Sequence, residues 1–272
     1  MPEQDVENKE PFDPGRYWQT RLERDYSLAG VGWLGLSEPF NRWMYAVRKS
    51  VFRRALRGLL DPRHARVLDV GSGTGFYVAL WKELGVRNIT GCDLTAIAVR
   101  RLRARFPDAR FEQVDISASP IPLEGQFDAV SAMDVLYHIV DDECYSQALQ
   151  NLAKLVAPGG LLVLTENLLH GQALHASHQV SRSYDEIVGL LRDGGLAIVF
   201  RRPLFVLMNT PVDSKSRILE LLFARIQLLA RLRSTGWIVG AALYPIELVL
   251  TRLVREGPTT EIVVCRKADA VR

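Results

Sequence analysis

Residues 66 to 77 read Arg-Val-Leu-Asp-Val-Gly-Ser-Gly-Thr-Gly-Phe-Tyr. The run Val67-Leu68-Asp69-Val70 is short, apolar and β-branched, the composition of a strand covered on both faces. Gly71, Gly73 and Gly75 follow at once, and glycine lets the backbone curve tightly beneath a ligand. A helix opening near Phe76 then aims its free amide groups and the positive end of its dipole at that ligand. The dinucleotide fingerprint Gly-x-Gly-x-x-Gly relies on the same physics. Here, however, the third glycine falls one residue early for it. Residues 66–77 therefore predict a strand, a ligand-cradling turn and a helix, in that order.

Outward from this turn, strand and helix alternate. The patterning predicts strands at 88–93, 109–114, 127–133, 161–166, 196–206 and 261–266, with helices at 95–106, 144–155 and 184–192. Pro158-Gly159-Gly160 is read as the turn into the strand at Leu161. Such alternation implies an α/β fold, a doubly wound and mostly parallel sheet whose ligand sites lie at the carboxyl ends of its strands. Two helical segments at 16–28 and 41–60, the second ended by Asp61-Pro62, precede the sheet. The organisation expected is a flexible lead-in and N-terminal helical cap over 1–60, and a main domain over 61–272.

An insertion at 209–257 interrupts the main domain before its last strand. Residues 217–233 place apolar side chains at helical spacing, and 237–250 are nearly all apolar. The latter run is short for a bilayer and holds Pro245 and Glu247. It reads first as part of a helical hairpin buried on the sheet, and otherwise as a lid that shapes a substrate pocket or as a peripheral contact with membrane or lipid.

The chain has 272 residues, 48% hydrophobic and 24% charged, with a net charge of +3. These values exclude a disordered chain and a polytopic membrane protein, and demand no nucleic-acid partner. Cys92, Cys144 and Cys265 are odd in number and far apart. That argues against a disulfide framework or structural zinc, so no metal is expected and a cytoplasmic location is. The first fifteen residues are acidic and proline-bearing and do not read as a signal peptide. Arg100, Arg101, Arg103 and Arg105 spread over a broad helical arc, which reads as a solvated face rather than an RNA site.

Three acids mark successive strand ends: Asp69 within the first motif, Asp93 closing the second strand and Asp115 following the third. A carboxylate at the second position accepts ribose hydroxyls in adenosine-binding folds. At this point the chain resembles a class I S-adenosylmethionine-dependent methyltransferase of the small-molecule branch. The resemblance rests on Val-Leu-Asp-Val-Gly-Ser-Gly-Thr-Gly at 67–75, Phe-Asp-Ala-Val-Ser-Ala-Met-Asp-Val-Leu-Tyr-His-Ile at 127–139 and Leu-Val-Ala-Pro-Gly-Gly-Leu-Leu-Val-Leu at 155–164.

The resemblance implies seven strands with the last reversed, S-adenosyl-L-methionine as cofactor and S-adenosyl-L-homocysteine as product. Carried over, it implies that Gly71, Ser72, Gly73 and Gly75 line the methionine moiety and that Asp69 orients the turn or meets the ammonium. Asp93 and Leu94 would hold the ribose and one adenine face, Asp115 and Ile116 the adenine edge, and the Met133 carbonyl the amino group. Tyr17 in the cap would close over the methionine carboxylate.

A small-molecule acceptor methylated at oxygen is expected, in a natural product or sugar-bearing compound. A lipid-linked acceptor or RNA stands as the alternative, and a nicotinamide-dependent oxidoreductase is the rival class. A hydroxyl acceptor benefits from a base near neutral pH. His138 after the fourth strand is the first candidate, and His170, with His175 and His178 in the loop after the fifth, is next. No acidic residue in sequence proximity supports a metal site among these histidines. Trp33, Leu34, Phe40, Trp43 and Tyr45, with the insertion after Asn209, are expected to wall the acceptor pocket. The sequence leaves the oligomeric state open.

Overall fold

A computed structural model describes residues 12–269. Most of the expected flexible lead-in, residues 1–11, lies outside the described residues. The strands are β1 (Arg66–Val70), β2 (Asn88–Asp93), β3 (Arg110–Gln113), β4 (Phe127–Ala132), β5 (Val156–Glu166), β6 (Leu174–Ala176), β7 (Gln179–Ser181), β8 (Leu196–Pro203) and β9 (Glu261–Lys267). Seven of them form one sheet in the order β3-β2-β1-β4-β5-β9-β8, and β6 and β7 pair separately. β9 runs antiparallel to both β5 and β8, while the pairings from β3 through β5 are parallel. The mostly parallel seven-stranded sheet with a reversed last strand is thus present. A dinucleotide-binding sheet in the order 3-2-1-4-5-6 has no such inserted antiparallel strand.

The helices are α1 (Pro14–Arg24), α2 (Leu28–Val31), α3 (Glu38–Ala55), α4 (Phe76–Glu83), α5 (Ala96–Arg105), α6 (Asp142–Leu155), α7 (Tyr184–Asp193), α8 (Arg217–Ala230) and α9 (Arg233–Leu253). Successive strand residues point to opposite faces of the sheet, and each face has its own core. Val67, Ala129 and Val163 join Phe52 of α3, Trp81 of α4 and Leu102 of α5. Leu68, Val130 and Leu164 join Leu149 of α6 and Ile187 of α7. Full burial of both faces explains why β1, β4 and β5 read as nearly continuous apolar runs.

Two segments differ from the sequence reading. Pro158-Gly159-Gly160 does not precede β5 but lies inside it, as an irregularity where the β4 register slips between Phe127 and Ala129 and Gly159 takes a φ of +71°. The strand continues because the extra residues are absorbed as a bulge.

The insertion departs further: α9 packs mainly along α3 and reaches the sheet at its β8 edge, and α8 packs beside α9. α9 has 21 residues and contains an 18-residue window with a mean hydropathy of 1.3, so it is long and apolar enough to cross a membrane by length and composition. The helix continues through Pro245 and beyond the apolar run read from sequence. Glu247 points inward, fully buried, and accepts backbone N–H groups of Val206, Leu207 and Met208 at 2.5, 3.1 and 3.4 Å. Burial raises its pKa, against the opposing effect of those donors.

Candidate functional site

The glycine turn is built by short-range hydrogen bonds. Ser72 N–H donates to the Cys92 carbonyl at 3.0 Å, Gly75 N–H to the Ser72 carbonyl at 2.7 Å, and Ser72 Oγ to the Asp69 carbonyl at 2.8 Å. Gly71 sits at φ +65°, where a Cβ would come within 2.3 Å of Val135 Cγ2. Gly75 caps α4 at φ +81°, and a Cβ there would strike Phe106 and Leu102. The first glycine therefore permits approach at the front of the turn, and the last permits packing behind it.

This turn forms one wall of a cavity of about 530 Å³ at the carboxyl edge of β1, β2 and β4, within the usual size of a small-molecule site. Of the residues expected to bind the cofactor, Gly71, Ser72, Gly73, Asp93, Leu94, Asp115, Ile116 and Met133 line it together. Asp93 Oδ2 accepts the Gly73 N–H at 2.8 Å, while Oδ1 accepts the Thr95 N–H and hydroxyl at 2.9 and 2.7 Å. Its carboxylate is fixed and retains acceptor capacity on both oxygens; burial raises its pKa. Asp115 Oδ1 accepts the N–H and hydroxyl of Ser117, and among the described residues Oδ2 has no such partner. Two oriented carboxylates beside a glycine turn and the apolar Leu94 and Ile116 fit an adenosine group, with hydroxyls, an amino group and two ring faces to satisfy.

Three expected cofactor contacts lie outside the cavity lining. Gly75 lies behind the turn. Asp69 is buried beneath it, accepting Ser131 Oγ at 2.6 Å, and burial pushes its carboxyl up to about 7. Its backbone carbonyl, rather than its carboxylate, accepts the Ser72 hydroxyl of the turn. Tyr17 accepts Arg21 Nη1 at 3.0 Å and stacks on His178 at 5.6 Å. Its neighbour Trp18 lines the cavity instead, and Tyr26 supports the turn by donating to the Gly73 carbonyl at 2.8 Å. Helical geometry separates adjacent side chains by about 100°, which is how one residue in the cap takes the place expected of another.

His138 lines the cavity from a 3₁₀ turn, Leu136–His138. Its ring meets Trp18 edge-on at 4.9 Å and stacks on His178 at 5.9 Å. Its Nδ1 lies 3.0 Å from the His178 carbonyl. A carbonyl only accepts, so Nδ1 carries the proton and Nε2 presents the lone pair. Burial pushes the imidazole down to about 4, so it is neutral at physiological pH.

His170, by contrast, is exposed and outside the cavity lining. Its Nδ1 and Nε2 face Asp213 and Glu256 at 2.5 and 3.3 Å, and Asp213 raises its pKa. The acids absent from its sequence neighbourhood come from distant segments. They hold it as a surface ion pair, which corrects its assignment as a second catalytic candidate. Among the described residues no group of three His, Cys, Asp or Glu side chains is arranged to hold a metal ion.

The structure adds a polar cluster that sequence reasoning missed. Asp134, also in the lining, has φ +59° and donates its N–H to Thr165 Oγ1 at 2.6 Å. Its carboxylate accepts Arg48 Nε at 2.9 Å and the Tyr137 hydroxyl at 3.1 Å. The Tyr77 hydroxyl beside them is buried without a hydrogen-bond partner, and burial with the Asp134 charge raises its pKa well above the ordinary value. Asp134 follows Met133 in a quoted motif and was legible by position. Arg48, from α3, carries no local signal.

Of the five aromatic and apolar residues expected to wall the pocket, only Tyr45 lines the cavity, and no residue of 209–257 does. Phe40 is core, Leu34 is exposed, Trp33 stacks on Phe223 and Trp43 packs against α9. The α5 arginines are exposed, as a solvated face requires, and three of them also contact the protein. Arg103 donates to the Phe111 carbonyl, Arg105 to the Thr74 carbonyl, and Arg101 lies over the Tyr26 ring.

Residues 67–160 match a protein-family model described as a methyltransferase domain. A demethylmenaquinone methyltransferase of Thermus thermophilus is 36% identical over 119 residues, covering 42% of this chain and 52% of that protein. A ubiquinone biosynthesis O-methyltransferase of Albidiferax ferrireducens is 34% identical over 100 residues, covering 35% and 38%. The matched region thus spans about half or less of these curated relatives. Among solved structures, magnesium protoporphyrin IX methyltransferase from Synechocystis PCC 6803 with bound SAM superposes with a TM-score of 0.57 at 15% identity, covering 94% of this chain and 98% of that one. This likeness is one of fold.

Proposed function

We propose, for a chain with a class I S-adenosylmethionine-dependent methyltransferase domain, that it transfers a methyl group to a hydroxyl of a small-molecule acceptor in the cytoplasm. The observation that carries this reading is the convergence of Gly71, Gly73, Asp93, Asp115 and His138 on one cavity. S-adenosylmethionine, when bound, supplies an activated methyl group on a sulfonium and leaves as S-adenosylhomocysteine. The protein's part is then to hold donor and acceptor in line and to exclude water.

In this proposal the glycine turn admits the methionine end, Asp93 accepts the ribose hydroxyls and Asp115 the adenine amino group. Trp18 and Tyr45 flank the acceptor side. Methylation of a hydroxyl releases one proton, and His138 Nε2 is an acceptor in the cavity lining. Its low pKa makes it suited to orienting the hydroxyl and to relaying the proton rather than storing it.

The preferred acceptor is a natural product or sugar-bearing hydroxyl compound. A lipid-linked acceptor is the second reading, favoured by the exposed apolar surface of α8 and α9. An RNA acceptor finds less support, since three of the α5 arginines engage the domain itself. Calorimetric titration tests the cofactor assignment: S-adenosylhomocysteine should bind and NAD should not. Binding of NAD alone, or of neither, would overturn it.

A further inference from the structure

Most of the large apolar side chains left exposed on the described protein fall between residues 218 and 253. They are ordered. On α9, Ile238, Ile246, Val249 and Leu253 recur at helical spacing, with the small Ala242 between them. On α8 the outward positions are Ile218, Leu221, Leu222, Leu228 and Leu229. The opposite faces are committed to the domain. Phe223 meets Trp33, the Ala230 carbonyl accepts the Ser37 N–H, Gly236 and Gly240 let Ser37 and Trp43 approach, and Glu247 holds the 206–208 backbone. Both helices therefore turn apolar stripes away from the fold, in amounts that soluble monomers do not leave bare without a role.

Basic residues accompany these stripes, and Arg225 lies within the α8 stripe itself. Arg217 begins α8, Arg225 lies midway, Arg231 is in the turn, and Arg252 and Arg255 lie at the end of α9. All five are exposed, and none has a carboxylate within ion-pair distance among the described residues. Trp237, more than half exposed, lies near the start of α9, and tryptophan suits a boundary between headgroups and acyl chains.

We propose that the outward faces of α8 and α9 dock the protein on an anionic phospholipid bilayer, lying in its surface. A second copy of this chain is a poorer occupant. In a two-fold contact the patch meets itself, setting arginines against arginines, whereas anionic headgroups complement them. Spanning is opposed by the inner face of α9. Insertion would strip three backbone N–H groups of Glu247, break the bonds from Arg54 to Thr251 and place the carboxylate in hydrocarbon. The proposal does not depend on the methyl-transfer reading, because its readout is lipid binding.

The test is co-sedimentation of the full chain with phosphatidylcholine vesicles, with and without phosphatidylglycerol. Binding should be at least about tenfold stronger with the anionic lipid and fall with added salt. Ile246→Glu with Val249→Glu should weaken it about tenfold or more while leaving S-adenosylhomocysteine affinity unchanged. Wild-type protein supplies a check that needs no charged variant in the patch: brominated lipid should quench a fluorescence component that Trp237→Phe removes. Absence of co-sedimentation, or binding indifferent to the double substitution, would overturn the proposal. So would a dimer in solution, by light scattering, that the double substitution dissociates.

Discussion

Replacing Gly71 with alanine probes the turn where two independent penalties coincide. The residue sits at φ +65°, a conformation that costs an L-residue about 1–2 kcal/mol. The new Cβ would also lie 2.3 Å from Val135 Cγ2, far inside the ordinary contact distance of about 3.5–4.0 Å. Relieving such an overlap in a packed site costs about 1–3 kcal/mol. The combined penalty is about 2–5 kcal/mol, which corresponds to a roughly thirtyfold to several-thousandfold loss of affinity if it falls wholly on the ligand-competent turn.

Titration calorimetry with S-adenosylhomocysteine measures the binding share, and thermal melting the share that falls on folding. Gly71→Ala combined with Val135→Ala removes the obstructing methyl groups and should recover the overlap share, leaving the conformational one. Val135 itself lines the cavity, so the Val135→Ala single variant closes the cycle. Native affinity and stability in Gly71→Ala would refute the reasoning. So would a coupling of zero between the two positions, since the contact would then not be the cause.

Four further outcomes are expected. His138→Ala should lower turnover about a hundredfold or more with cofactor affinity unchanged; unchanged turnover would remove the proton-relay role. Asp93→Ala takes the acceptor from the Gly73 N–H, the Thr95 N–H and the Thr95 hydroxyl, and calorimetry should show at least a roughly tenfold weaker grip on S-adenosylhomocysteine.

Stability should respond to pH in two opposed ways. His138, held near 4 in the fold against 6.5, makes stability fall as pH drops through that window, by up to about 3 kcal/mol, and His138→Ala should flatten this limb of a denaturant series. Glu166, pushed up to about 8 by burial, makes stability fall as pH rises from about 4.5 to about 8; Glu166→Gln should remove this share, leaving the share of Asp69, which is pushed up to about 7. Finally, Glu247→Ala leaves the N–H groups of Val206, Leu207 and Met208 without their acceptor, at about 1–3 kcal/mol each. It should lower the melting temperature and open the α8–α9 segment to proteolysis, and an unchanged melting temperature would show that the clamp is unimportant.

The side of the cavity formed by the glycine turn was legible because its signals are local. A strand, three glycines and an acid at the next strand end lie within 66–93, and the bonds from the turn to Cys92 and Asp93 close within that stretch. The side lined by Trp18, Asp134 and His138 was not. Arg48 reaches Asp134 across 86 positions of sequence, and His138 is oriented by the carbonyl of His178, 40 positions away. Neither partner is marked by its neighbours. Trp18 rather than Tyr17 faces the cavity through a rotation of one helical step, which periodicity alone does not settle when both residues are aromatic. The insertion misled for a different reason. Apolar periodicity says that a face is removed from water, and the same pattern serves a face buried on the sheet, packed on α3 or left outward.

α3 explains how the cavity and the outward hairpin come to be neighbours without sharing a residue. One side of this helix reaches the cavity region, with Tyr45 in the lining and Arg48 bonded to Asp134. Another side receives α9: Trp43 packs against Trp237 and Tyr244, Ser50 meets the Tyr244 hydroxyl at 3.3 Å, and Arg54 bonds Thr251. Arg48 also lies 4.8 Å above the ring of Phe205, and the Phe205 carbonyl accepts the Thr259 hydroxyl just before β9. Val206 to Met208, which follow Phe205, are the residues held by Glu247 of α9. A displacement of α9 must therefore act on both sides of Arg48, through α3 and through the 205–208 segment. In Glu247→Ala, weakened acceptor turnover with intact S-adenosylhomocysteine affinity is the expected signature of that coupling. Equal loss of both would place the damage in the sheet instead.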